Sequence, residues 1–259
     1  MKLGTVLSAA DANPLYCDFI PYFIKAWLSL FPEINIVIVL VSENIPRDLE
    51  SYKEYIYLYN PLPHIHTGYQ AQMIRLLYAR ELTDEPNGIL ITDIDMIPLN
   101  SKYYTNNIAN LPNNLFISYR DVLYPEQLAM CYNIASAETW QKLIGPGSIE
   151  SLLRKFYNLS YNGIPGQTGW YSDQDVLIKA YNKYTGPKII LKDAYTDFNR
   201  LDREDKVFED KPSLKSAIQI QKYSDYHCLR PYNTHKQIND FILNCIIPEN
   251  VGLCNLGTS

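Results

Sequence analysis

The chain has 259 residues, 47% of them apolar and 20% charged, and a formal net charge of −5. A chain of this size buries a substantial core, and its composition excludes disordered and fibrous classes. The negative balance, without a basic cluster, excludes a nucleic-acid-binding surface, and no apolar run is long enough to span a bilayer.

Residues 3–9 predict a first strand, broken by Asp11-Ala12-Asn13-Pro14. Leu15, Phe19, Tyr22, Phe23, Ala26, Trp27 and Leu30 recur at helical spacing, so residues 15–31 predict an amphipathic helix that Pro32 ends. The β-branched run 34–41 predicts a second strand, and residues 55–59 a short third one. His64 and His66 alternate in the Pro-rich loop that follows and read as structural. Residues 67–82 predict a helix with Met73, Ile74, Leu77 and Leu82 on one side, and residues 88–92 a fourth strand. This alternation predicts βαβ units in an α/β fold, with a mixed, mostly parallel central sheet flanked by helices.

The second half is less regular. Residues 115–119 and 128–135 read as strands, and 137–143 and 148–159 as helices. A turn-rich loop, 162–169, runs into Trp170-Tyr171 and a helix from Ser172. Ser172 is the expected N-cap, with Asp173 and Asp175 in the first turn. Residues 189–191 predict a short strand, 202–215 a charged, mobile segment, and 236–247 a closing helix. Without repeats, the expected organisation is a single domain, with a nucleotide-binding half (1–100) and an acceptor-side half (101–259). Cys17, Cys131, Cys228, Cys245 and Cys254 show no paired spacing and read as reduced thiols. The N-terminus does not read as a signal peptide, so the expected location is the cytoplasm, the host's if the chain is viral. The 22 tyrosines fit an AT-rich coding composition, leaving a share to line a sugar cleft.

The chemistry concentrates in Gly88-Ile-Leu-Ile-Thr-Asp-Ile-Asp-Met-Ile-Pro98. A buried strand that ends in Asp93 and Asp95 leaves two carboxylates repelling each other and losing hydration, so a cation must offset them. Residues i and i+2 of an extended segment point alike, which lets both address one ion, and oxygen ligands favour Mg2+ or Mn2+. In an open α/β sheet, ligands bind at such strand ends. Asp173-Gln174-Asp175 repeats the spacing at a helix start, where acids also complement the dipole. Its functional reading is a general base, with Trp170 and Tyr171 as an apolar wall that raises the carboxylate pKa. Of the cations on the helix 67–82, Arg75 rather than Arg80 is the candidate to hold the carboxylates or a phosphate in its planar fork. Further on, His227 can complete a mixed oxygen and nitrogen site, which favours Mn2+, and Arg230 can neutralise a diphosphate.

In chain order, the βαβ half, the Arg-bearing helix, Asp93-Ile94-Asp95, Tyr132-Asn133-Ile134-Ala135, Trp170 to Asp175, and His227 with Arg230-Pro231-Tyr232 resemble a GT-A (Rossmann-like) glycosyltransferase that uses a nucleotide-sugar donor. The last group is similar to the His and Lys-Pro-Trp of glycogenin-like enzymes, with Arg for Lys and Tyr for Trp. The spacing of acidic pair, base and His is similar to that of small transferases from giant and chlorella viruses. The resemblance implies Asp95 as main metal ligand, Asp93 on the metal or the ribose, and His227 as third ligand. It implies a nucleobase pocket of Ser8, Ala9 and Asp11, with Tyr16 as a stacking candidate. Arg75 would steady the acidic loop and donor, and Asp173, with Asp175 beside it, would be the base of an inverting enzyme. The implied donor is a UDP-sugar, the acceptor a hydroxyl on a glycan or glycoconjugate, and the cofactor Mn2+ or Mg2+. Two other readings stand. One is a sugar-nucleotide pyrophosphorylase, against which the absence of Gly from residues 6–13 counts, because that class needs a Gly-rich phosphate loop. The other is a non-catalytic nucleotide- or carbohydrate-binding module.

Overall fold

The computed structural model describes residues 1–247, so Cys254 lies outside the described residues. The order begins β1 (Leu3–Asp11), α1 (Pro14–Cys17), α2 (Ile20–Leu30), β2 (Asn35–Val41), β3 (Ile56–Tyr59), α3 (Thr67–Tyr78), β4 (Gly88–Ile91) and β5 (Met96–Pro98). It continues with α4 (Ser101–Asn106), β6 (Phe116–Ser118), β7 (Asn133–Ala135), α5 (Ala137–Ile144), α6 (Ile149–Phe156), α7 (Ser172–Lys183) and β8 (Lys188–Ile190). The last elements are β9 (Arg200–Leu201), α8 (Lys211–Gln219), β10 (Asp225–His227) and α9 (Lys236–Ile246). Seven strands form one sheet in the order β3-β2-β1-β4-β7-β6-β8. The first four are parallel, β7 runs antiparallel to β4 and β6, and β8 is parallel to β6. This is the mixed, mostly parallel sheet that the strand–helix alternation predicts.

Period-two alternation sends apolar side chains to both faces of the central strands. Val6, Ile38, Leu40 and Leu90 pack on one face with Phe23 and Trp27 of α2. Leu7, Val39, Ile89 and Ile91 pack on the other with Ile74 and Leu77 of α3 and Trp140 of α5. Every residue of β4 is buried, as a strand covered on both sides requires. Six of the largest buried side chains are tyrosines, and all of them but Tyr104 bond their hydroxyls inside the fold: Tyr22 donates to Asn239 O at 2.6 Å and Tyr119 to Tyr104 O at 2.7 Å. Cys17, Cys131 and Cys228 are buried free thiols, and Cys245 is a half-buried one.

Local departures from the expected elements have local causes. The helix expected over 15–31 splits at Asp18, because Pro21 has no N–H and its ring collides with the carbonyl four residues back. Ser172 is not the N-cap of α7; it lies inside the helix, and its Oγ donates to Gly169 O at 2.6 Å. The segment 202–215 is not featureless. Asp210 caps α8 by accepting from Ser213 N, and Leu214 and Ile218, one turn apart, are buried.

A second sheet places the site. β5, which begins one residue after Asp95, pairs antiparallel with β10, and β10 pairs parallel with β9. The register sets His227 opposite Met96 and Leu201 opposite Tyr226, and Cys228 N donates to Asp95 O at 2.9 Å. Three segments more than 100 residues apart at the extremes therefore meet at the end of β4.

Candidate active site

A cleft of about 480 Å3, the size of a small-molecule site, opens at the carboxyl ends of β1 and β4. β1 brings Ala9 and Asp11 to its floor, and α1 adds Tyr16. Asp11 accepts from Thr67 Oγ1 at 2.8 Å and from Asn13 N at 3.2 Å, which fixes this corner. Ser8 is fully buried below the cleft. Its Oγ donates to Thr92 O at 2.9 Å and so braces the acidic turn from beneath instead of lining a pocket.

Asp93 and Asp95 do not point alike. The segment between them turns, with Met96 N donating to Asp93 O at 3.2 Å, so the two carboxylates address different partners. Asp93 pairs with Arg75 Nη1, and Arg75 Nη2 bonds Asp173 Oδ2 at 2.7 Å. One buried guanidinium is thus shared by two carboxylates. Burial opposes the Arg75 charge, yet Asp93 and Asp173 outweigh it and raise its pKa. At Asp173, burial is the larger effect and lifts the carboxyl above its usual range, although Arg75 pulls the other way. Asp175 faces away from this arrangement and accepts from Gln127 Nε2 at 2.7 Å. Arg80 holds the Gly145 and Gly147 carbonyls, outside the cleft.

Asp95 is only 4% exposed and gathers three nitrogen groups on Oδ2: Arg203 Nη2 at 3.1 Å, Arg230 Nε at 3.4 Å and His227 Nε2 at 3.7 Å. Burial disfavours its ionised form, but His227, Arg230 and Arg203 prevail and hold the carboxyl below its usual range. Asp202 Oδ1 lies 3.5 Å from His227 Nδ1, and that contact holds the Asp202 carboxyl down to about 2. The same contact turns Nε2 of His227 toward Asp95, the orientation a carboxylate gives a ligating imidazole. Among the described residues, no three His, Cys, Asp or Glu side chains form a metal cluster. Asp95 and His227 nevertheless make an oxygen and nitrogen pair whose chemistry would suit a divalent ion completed by water or ligand oxygens.

An aromatic wall closes the opposite side. Trp170 stacks on Tyr161 (centroids 6.1 Å apart, planes at 14°) and on Tyr16 (6.4 Å, 29°). Gly169, at φ +83°, permits this: a Cβ there would sit 2.9 Å from the Tyr161 Cα. Burial pushes the Tyr16 hydroxyl up to about 12 against the pull of Arg230, which bonds it. His66 caps α3 by accepting from Gly68 N and packs its ring on Tyr161. Gln72 and Gln174 also line the cleft, each with a buried Oε1 that has no hydrogen-bond partner among the described residues.

No protein-family model and no curated protein matches the sequence. Solved structures do. The glycosyltransferase GlyE of Streptococcus pneumoniae aligns with 94% of this chain at a TM-score of 0.50 and 13% identity. The chain has the GT-A glycosyltransferase fold. It spans 63% of GlyE's length. A glycosyltransferase involved in the glycosylation of the major capsid of PBCV-1 aligns with 92% of the chain and 98% of its own (12% identity, TM-score 0.49). Galactosyltransferase LgtC, solved with donor and acceptor sugar analogues, aligns with 92% and 95% (15% identity, TM-score 0.49).

Within this GT-A fold, the cleft gathers Ala9, Asp11, Arg75, Asp93, Asp95, Asp173, His227 and Arg230 of the residues singled out from sequence, but not Ser8 or Asp175. Arg203, Gln174 and Tyr161 line it as well, without being sequence candidates. Gln174 is legible in the sequence only as the residue between two candidate acids. Arg203 had no signal, because the strand that delivers it has two residues and no readable period.

Proposed function

We propose that the chain is a metal-dependent glycosyltransferase that moves a sugar from a nucleotide-diphosphate donor, a UDP-sugar, to a hydroxyl of a glycan or glycoconjugate. The observation that carries the proposal is the convergence of Asp95, His227, Arg230 and Asp173 on one cleft at the strand ends. Residues 1–100 supply the nucleotide side and the remainder the acceptor side of one domain. Ala9, Asp11 and Tyr16 take the nucleobase and ribose. Arg75 fixes Asp93, which faces the ribose, and it also fixes Asp173. Asp95 and His227 would hold Mn2+ or Mg2+, which would supply positive charge beside the donor diphosphate. Arg230 adds a second cation at the same place, where charge develops as the sugar leaves.

In the transfer, the acceptor oxygen forms a bond to the anomeric carbon and the bond from that carbon to the diphosphate oxygen breaks, its electron pair leaving with the diphosphate. The acceptor proton goes to the Asp173 carboxylate, whose raised pKa makes it a better base than an ordinary Asp. Gln174 Oε1, unpartnered in the cleft, accepts from a sugar hydroxyl. The test is nucleotide release from a panel of UDP-, GDP- and TDP-sugars with Mn2+, with and without glycan acceptors. Metal-dependent release that rises with acceptor is the expected result. Binding without turnover across the panel would leave a binding module, and nucleoside triphosphate formation on adding pyrophosphate would leave a pyrophosphorylase.

A further inference from the structure

Arg203 enters the cleft from a strap anchored deep in the small sheet. Three residues earlier, Arg200 Nη2 lies 2.7 Å from Oδ2 of the fully buried Asp225, which also accepts from Tyr132 OH at 2.8 Å. That lock fixes Arg200 opposite Asp225 and Leu201 opposite Tyr226. The next two residues then stand beside the site: Asp202 against His227, and Arg203 against Asp95.

Two features of Arg203 are unexplained by the protein alone. Its Nε is buried and has no acceptor among the described residues. A guanidinium offers five N–H groups, and a buried one left unbonded costs free energy that a ligand oxygen would recover. The charges are also unequal. Arg203 and Arg230 both approach the single Asp95 carboxylate, while Asp202 is the partner of His227. Around Asp95 one fixed cation is thus in excess, whereas Arg75 on the other side of the acidic turn is shared by two carboxylates; a local excess cation with an open donor suits a ligand with several anionic oxygens, and the planar fork matches phosphate geometry.

We propose that Arg203 grips the diphosphate of the donor as a cation built into the chain, so that nucleoside diphosphate binding persists without a divalent ion. This rests on the nucleotide-sugar reading of the cleft. The full-length chain is tested in EDTA by calorimetric titration with UDP, GDP, ADP, CDP and TDP. The tightest binder is then compared with its nucleoside, the latter followed by NMR, in wild type, Arg203→Ala and Arg203→Lys. Wild type binds the diphosphate in EDTA, and Arg203→Ala weakens it by about tenfold or more, as expected for losing a charge-assisted bond. Nucleoside affinity is unchanged, and Arg203→Lys recovers part of the loss because it keeps the charge without the fork. Unchanged diphosphate affinity in Arg203→Ala overturns the proposal. So does an equal loss of nucleoside affinity, which marks a structural role, and so does wild-type binding that appears only with Mn2+. A wild-type chain that binds none of the five diphosphates, with or without Mn2+, refutes the nucleotide-sugar reading itself.

Discussion

Replacing Arg200 with alanine removes the partner of a fully buried carboxylate. Arg200 contacts Asp225 through Nη2 at 2.7 Å and Nε at 3.2 and 3.3 Å. Tyr132 OH and Ser224 Oγ would remain on Asp225, at 2.8 and 3.3 Å, but neither carries charge. Breaking a buried pair from one side costs about 3–5 kcal/mol, and the two surviving hydroxyls argue for the lower end. For a domain of this size, about 3 kcal/mol corresponds to a fall in Tm of roughly 6–12 °C. Thermal melts and urea titrations of both proteins at pH 7 measure the deficit. A Tm within about 2 °C of wild type refutes the argument that this pair locks the strap.

Other outcomes follow from the cleft. Asp95→Asn should abolish the Mn2+-dependent gain in UDP affinity while binding in EDTA does not fall, because Arg203 and Arg230 are released to the ligand; an intact Mn2+ effect would reject the ion site. Asp173→Asn should lower turnover by about 10²–10⁴-fold with UDP binding retained, and near-normal rates would remove Asp173 as the base. Since the base works ionised and burial raises its pKa, the acid limb of wild-type kcat/KM should lie above the usual Asp value of about 3.9 and vanish in this variant. Asp202→Asn should weaken Mn2+ binding by loosening His227. The Asp202 carboxyl is depressed to about 2, so its contribution to stability is present above about pH 3.9 and lost as pH falls through 2. Urea midpoints of this variant should be flatter than those of wild type across that window.

The readable part of the site was the part close in sequence to strong periodic elements. Asp93 and Asp95 follow a strand buried at every position, and Arg75 sits on the helix that covers it, so all three were found. What failed was the direction of the side chains. Extended geometry predicted that the two acids point alike, but the chain turns between them and divides them between Arg75 and the cluster around His227. Ser8 and Asp175 were drawn in by proximity to true cleft residues, and their contacts show the opposite orientation.

The amino-acid order by itself determined the layered α/β architecture, because unbroken apolar strands alternating with amphipathic helices must be covered by those helices on both faces. It also marked several carboxylates, one histidine and two arginines as candidates for a common site. Only the tertiary structure decided which of them meet. The small sheet β5-β10-β9 joins residues near 96, 200 and 226 through backbone pairing, and such short strands have too few positions to show a period. That pairing is what sets Arg203 beside Asp95, a neighbour 108 residues away in the chain.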